Sequence, residues 1–188
     1  MKLKFYLFTA LACTLLLFSC DQNSKEDKIS ETTATDILAK MDTLSNKKQI
    51  AAMLDSFNVA AARADYDGYF NYFTEDATFN GTDATENWDK KAFMIWAKPH
   101  FDKKRTWNFS SIQRHIYFGK NADIAWFDEL LNTQMKICRG SGVVVKQNNE
   151  WKVQQYVLSM AIPNELSDNI IKLKAPLEDS LINKLSGK

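Results

Sequence analysis

Histidine and cysteine are scarce in this chain, with two and three residues out of 188. His100 and His115 form no H-x-x-x-H spacing and no cysteine cluster accompanies them, so neither a metal nor another cofactor is expected. Charge of one sign is lacking as well. The formal net charge is +1, and beyond residue 19 the balance is −1, with 22 Lys and Arg against 23 Asp and Glu. Such a surface offers no basic field to a phosphate backbone, which argues against nucleic-acid binding. Internal repeats and long low-complexity segments are missing too. What is present suffices for one folded domain: 45% hydrophobic and 12% aromatic residues exclude global disorder.

The N-terminus reads as an address. Lys2 and Lys4 precede an apolar run, Phe5–Phe18, of 14 residues. That is short of the ~20 residues needed to span a bilayer and suits the hydrophobic region of a secretory signal. The run ends Leu17-Phe18-Ser19-Cys20, which resembles a lipobox. The resemblance implies cleavage after a signal peptide at 1–19 and a diacylglycerol on Cys20, hence secretion across the inner membrane and lipid anchoring in the cell envelope. Cys13 then leaves with the signal and Cys20 carries lipid, so Cys138 stands alone in an apolar stretch as a small buried hydrophobe.

Beyond the signal, all 19 aromatic residues fall between Phe57 and Tyr156. The core is therefore expected there. Residues 20–35 read as a disordered tether, 36–165 as the domain with a leading helix, and 166–188 as a helical extension. Ile50, Met53, Leu54, Phe57 and Ala61 recur at helical spacing, with Ser45 as a candidate N-cap. Asp65 can cap a short helix carrying Tyr66, Tyr69, Phe70 and Phe73. A strand at 77–80 and the turn Gly81-Thr82-Asp83 follow, Asp83 being suited to an Asx turn. Asp89 opens a third helix that Pro99 breaks or kinks. Four extended runs, 107–118, 122–132, 136–146 and 151–160, joined by short turns, predict an antiparallel meander. Gly140 and Gly142 mark a bulge or bend within it. Helices followed by a curved antiparallel sheet make an α+β domain.

Several segments resemble a known family: "DYDGYFNYFTED" at 65–76, "GTDATENW" at 81–88, "DIAWFDELL" at 123–131, "CRGSGVVV" at 138–145 and "WKVQQYVLSMAIPNE" at 151–165. Together they look like the SnoaL-like branch of the nuclear transport factor 2-like (NTF2-like) superfamily, over roughly 46–165. The resemblance implies a cone in which helices and a concave sheet enclose a pocket. It does not imply a reaction, because the family holds isomerases, dehydratases and cyclases beside members that only bind.

Strict alternation on the last run puts Trp151, Val153, Gln155, Val157 and Ser159 on one face, which the resemblance turns inward. Many SnoaL-like members carry histidines where Gln155 and Val157 stand, and an amide is no general base near neutral pH. Asp128 and Glu129 are the candidate proton shuttles. Glu129 is expected to face inward and to pair with Arg114 or Arg139, since buried acids are usually paired. Arg114, Trp126, Arg139, Gln155 and Ser159 are the candidate ligand-binding residues, and the five tryptophans could stack on a planar ligand. The function expected is an envelope lipoprotein that binds a small, mostly apolar molecule. The alternatives are an enzyme of the isomerase, dehydratase or cyclase type, or an interaction module that dimerises through the sheet.

Overall fold

The computed structural model describes the backbone of residues 23–120 and 122–187, and side chains from residue 35 onward. Residues 1–19, expected to be a signal peptide, and Cys20 lie outside the described residues. The chain divides into two units, Met1–Lys40 and Met41–Lys188. In the first, the described backbone is helical and belongs to α1 (Asn23–Ala62). Residues 23–35, expected as a tether, are thus helical in backbone. No glycine or proline stands before Gly68 to interrupt a helix once begun. Ser45 is for the same reason an interior residue rather than a cap, and its hydroxyl accepts from Gln49 Nε2 at 3.4 Å.

In the second unit α1 buries Ile50, Leu54, Phe57 and Ala61, the stripe expected from their spacing. Asp65 caps α2 (Tyr66–Asn71) by accepting from Gly68 N at 3.0 Å. β1 (Phe73–Asn80) starts earlier than expected and takes Phe73 from the helix. A short β2 (Asn87–Asp89), not foreseen in the sequence, pairs antiparallel with β1. Asp89 caps α3 (Lys90–Asp102), accepting from Ala92 N at 2.8 Å. Pro99 does not end α3. It lies in the last turn, where its missing N–H forfeits one bond to the carbonyl of exposed Ile95.

The remaining strands are β3 (Ser110–Phe118), β4 (Ile124–Thr133), β5 (Lys136–Gln147) and β6 (Glu150–Met160). They form the expected meander within a six-stranded sheet of order β2-β1-β6-β5-β4-β3. The sheet is curved, open and mixed rather than wholly antiparallel, because β1 lies parallel to β6. Parallel neighbours require a long crossover, and here it contains α3 and the first three meander strands. The β5–β6 turn is closed by Asn148 and Asn149, both at positive φ (50° and 66°), as a two-residue hairpin with the twist of its strands demands.

One irregularity controls the inner surface. Val143 pairs with Gln155 but Val144 with Val153, leaving Gln154 as an extra residue on β6. A bulge reverses the facing of all that follows it. Trp151 and Val153 face the core before it, and Tyr156 and Leu158 after it. The helices cover this inner face, with Phe57 of α1 5.6 Å from the Tyr156 ring. After a 3-10 turn, α4 (Ser167–Leu185) buries none of its residues. No described helix is long and apolar enough to cross a membrane.

Candidate ligand-binding site

The bulge and the sheet register redistribute the candidate residues. Gln155 and Ser159 lie on the exposed outer face, beyond the point where alternation is interrupted. Trp126 and Arg139 also point outward, with 47% of Trp126 exposed. Asp128 joins them, 3.1 Å from His115 Nδ1 and 4.0 Å from Arg139 Nη1. Four of the five ligand-binding candidates therefore sit on the face away from the helices, and only Arg114 turns inward. Cys138 is fully buried, as a small hydrophobe would be.

Arg114 and Glu129 meet across the β3–β4 ladder, where they are direct partners. The Glu129 side chain is completely buried. Its Oε2 accepts from Arg114 Nε at 2.8 Å, and its Oε1 accepts from Tyr156 Oη at 3.1 Å. Arg114 Nη2 lies 2.8 Å from the same Oε2 and 2.9 Å from Asp55 Oδ1, as ion-pair contacts rather than well-directed hydrogen bonds. Nη1 donates to the Ala51 carbonyl at 2.9 Å. The guanidinium thus ties α1 to β3 and β4. Desolvation pulls the Arg114 pKa down, but Glu129 and Asp55 outweigh it and the net direction is upward. Burial, and then the Glu129 charge, push the Tyr156 phenol well above its usual range. Every strong partner of Glu129 is spoken for.

Arg114 borders one open space, shared with Lys47, Lys48 and Tyr117, and an aromatic one lies elsewhere. A recess of about 180 Å³ is bordered by the β1–β2 loop, α3, the segment before β3, the β4–β5 turn and the end of β6. Its walls are aromatic: Phe79, Trp88, Phe93, Trp96, Trp107 and Phe109, with Met135 and Leu158 adding aliphatic surface. Rings behind it stack closely, Phe79 on Phe93 at 4.1 Å and 13°, and Trp88 on Phe93 at 5.6 Å and 15°. Trp96 lies 4.8 Å from Trp88 and stays 40% exposed. Three of the five tryptophans named from the sequence therefore converge here. Phe109 and Trp107 were read as strand residues but precede β3. Glu86, Met135 and Leu158 were missed; the only signal was the compact "GTDATENW" passage that holds Glu86 and Trp88.

Local chemistry shapes two rims of the recess. In the β1–β2 loop, Asp83 Oδ1 accepts from Thr85 N at 2.9 Å and from its hydroxyl at 2.6 Å, the expected Asx turn. Those bonds lower the Asp83 pKa. Opposite, Thr133 Oγ1 accepts from Met135 N and donates to the Lys136 carbonyl, while Lys136 takes φ +71°. This places Gln134 and Met135 in a tight turn followed by a left-handed residue. Neither Asp128 nor Glu129 lines the recess. Among the described residues no cluster of three His, Cys, Asp or Glu side chains could hold a metal ion.

Solved structures share this architecture at low sequence identity. An NTF2-like protein of unknown function from Pseudomonas putida KT2440 superimposes with a TM-score of 0.52 at 15% identity, covering 65% of this chain and 91% of its own. A domain with a cystatin-like fold from Nostoc punctiforme PCC 73102 gives 0.55 at 15%, covering 77% and 98%. An NTF2-like protein from Streptomyces avermitilis, provisionally assigned as a dehydratase, gives 0.53 at 12%, covering 62% and 96%. No curated protein matches the sequence. The profile of the SnoaL-like domain matches residues 50–163, the span from the buried stripe of α1 to the end of β6, and the chain belongs to that family.

Proposed function

We propose that this protein is a lipid-anchored protein of the cell envelope that binds a small, mostly apolar molecule in the aromatic recess and performs no chemistry on it. The observation that carries the reading is the convergence of Trp88, Trp96 and Trp107 on one opening, with no general acid or base of the expected pair beside it. Large aromatic walls with a few polar groups at the rim are the usual make-up of a ligand pocket. A shuttle role for Glu129 finds no support in a carboxylate sealed against Arg114 and Tyr156. Native mass spectrometry of the full chain from its own host should show a retained small molecule, and Met135→Trp, which fills the opening, should remove it. Retention undiminished by that variant would place the ligand elsewhere. The anchor rests on the lipobox: Cys20→Ala should lose the lipid mass and leave the membrane fraction.

A second reading has one observation behind it. On the outer face Tyr117 and Trp126 stack at 5.9 Å and 18° while remaining 45% and 47% exposed. Exposed, mutually braced aromatics are suited to an interface, in keeping with self-association through the sheet. Sedimentation velocity of wild type against Trp126→Glu tests it, a monomer in both ruling it out.

A further inference from the structure

We infer that the recess, taken as the binding site proposed above, selects organic cations: an aromatic or aliphatic ring bearing a short amine arm. Among the described residues, Glu86 is the only formally charged one that lines it. Among the described residues no arginine and no lysine reaches the lining, so an anionic ligand would find no counter-charge from them. The walls work in the same direction. Indole and phenyl faces carry the negative end of the ring quadrupole, which attracts an ammonium and repels a carboxylate.

Glu86 is held in position rather than left to wander. Its Oε2 accepts from Asp83 N at 3.2 Å, and Gly81 N donates to its backbone carbonyl at 2.9 Å. Gly81 leaves room for this arrangement, since a Cβ there would lie 2.1 Å from Glu86 Oε2. Glu86 forms no salt bridge among the described residues, so the charge it brings to the rim is unspent. Its second oxygen remains to accept from a ligand donor. Size agrees with chemistry: a cavity of about 150 Å³ accommodates benzene. The recess, at about 180 Å³ and open to solvent, takes one six-membered ring with a two-carbon arm directed at the rim.

The test uses tryptophan fluorescence of the full chain, titrated with three probes of one shape: 2-phenylethylammonium, 2-phenylethanol and phenylacetate. The ammonium should bind roughly tenfold or more tighter than the alcohol, because a charge-assisted bond and the ring faces both favour it. Phenylacetate should bind most weakly. In Glu86→Gln the amide still accepts from Asp83 N, so the alcohol should keep its affinity and thereby report an intact recess. The ammonium preference should fall to within roughly threefold, the remainder being the ring faces. Gly81→Ala, which displaces the carboxylate without removing it, should weaken the ammonium in the same way. Equal binding of ammonium and alcohol by wild type, tighter binding of phenylacetate, or an unchanged preference in Glu86→Gln would overturn cation selection and leave the recess as a binding site. Failure of all three probes would overturn the recess reading and this inference together.

Discussion

Replacing Glu129 by Gln removes a negative charge from a side chain that is completely buried. Arg114 keeps 9% of its side chain exposed, and its Nε and Nη2 both face Glu129 Oε2 at 2.8 Å. Breaking a buried pair by removing one partner costs about 3–5 kcal/mol, since the other charge is left uncompensated. Two partners remain here. The Ala51 carbonyl keeps its bond, and Asp55, 62% exposed, keeps its contact at 2.9 Å. An exposed carboxylate is worth about 1 kcal/mol at most, so the expected loss for Glu129→Gln is roughly 2–4 kcal/mol. For a domain of this size that lowers the melting midpoint by about 4–16 °C. Asp55→Asn should cost less than about 1 kcal/mol, which separates the buried partner from the exposed one. The assay is a pair of thermal melts at neutral pH, with urea unfolding as a second measure. A Glu129→Gln protein as stable as wild type would refute the reasoning and return Glu129 to the list of groups strained for function. Replacing both residues, as in Arg114→Met with Glu129→Leu, should recover much of the loss, because apolar side chains of similar volume substitute well for buried pairs.

Gly142→Ala should destabilise by about 2–3 kcal/mol, since its Cβ would lie 2.1 Å from the Gln155 carbonyl, and Gly140→Ala by somewhat less, against the Tyr156 hydroxyl at 2.5 Å. Unchanged urea midpoints in both would show that β5 and β6 can part more easily than the register implies. Lys136→Gly should stabilise, by up to about 1 kcal/mol, by relieving a left-handed residue at φ +71° in the β4–β5 turn; a lower midpoint would refute the strain. Alkali should unfold the protein early. Burial raises Tyr69 and Tyr156 well above the ordinary phenol value, so the folded state retains protons that the unfolded chain gives up above pH ~10. Stability then falls as pH rises, by as much as about 1.4 kcal/mol per pH unit for each tyrosine. Urea midpoints from pH 9 to 11 check this, and Tyr156→Phe should halve the slope.

What could be read along the chain was whatever depends on neighbours in sequence. Asp65 and Asp89 cap their helices because a short acidic side chain reaches back to an N–H three residues on. The α1 stripe follows from a period of 3.6, and the four meander strands from runs rich in β-branched and aromatic residues; neither needs a partner to be defined. The inward turn of Glu129 and its arginine were foreseen from the larger apolar face around it, and which arginine was settled by register: Arg114 stands directly across the ladder, while Arg139 pairs with Leu130 on the outer face. The misreadings on β6 share one cause. Alternation along β6 predicts Gln155 and Ser159 inward only if the strand is uninterrupted, and the extra residue at Gln154 is a relation between β5 and β6, not a property of either. The parallel seat of β1 beside β6, and the gathering of Trp88, Trp96 and Trp107 from three separate segments, likewise exist only once distant parts of the chain are packed. Backbone hydrogen bonding and side-chain spacing act over a few residues and leave their mark in the sequence. Packing is decided by shape and register between segments, and only the tertiary structure holds that.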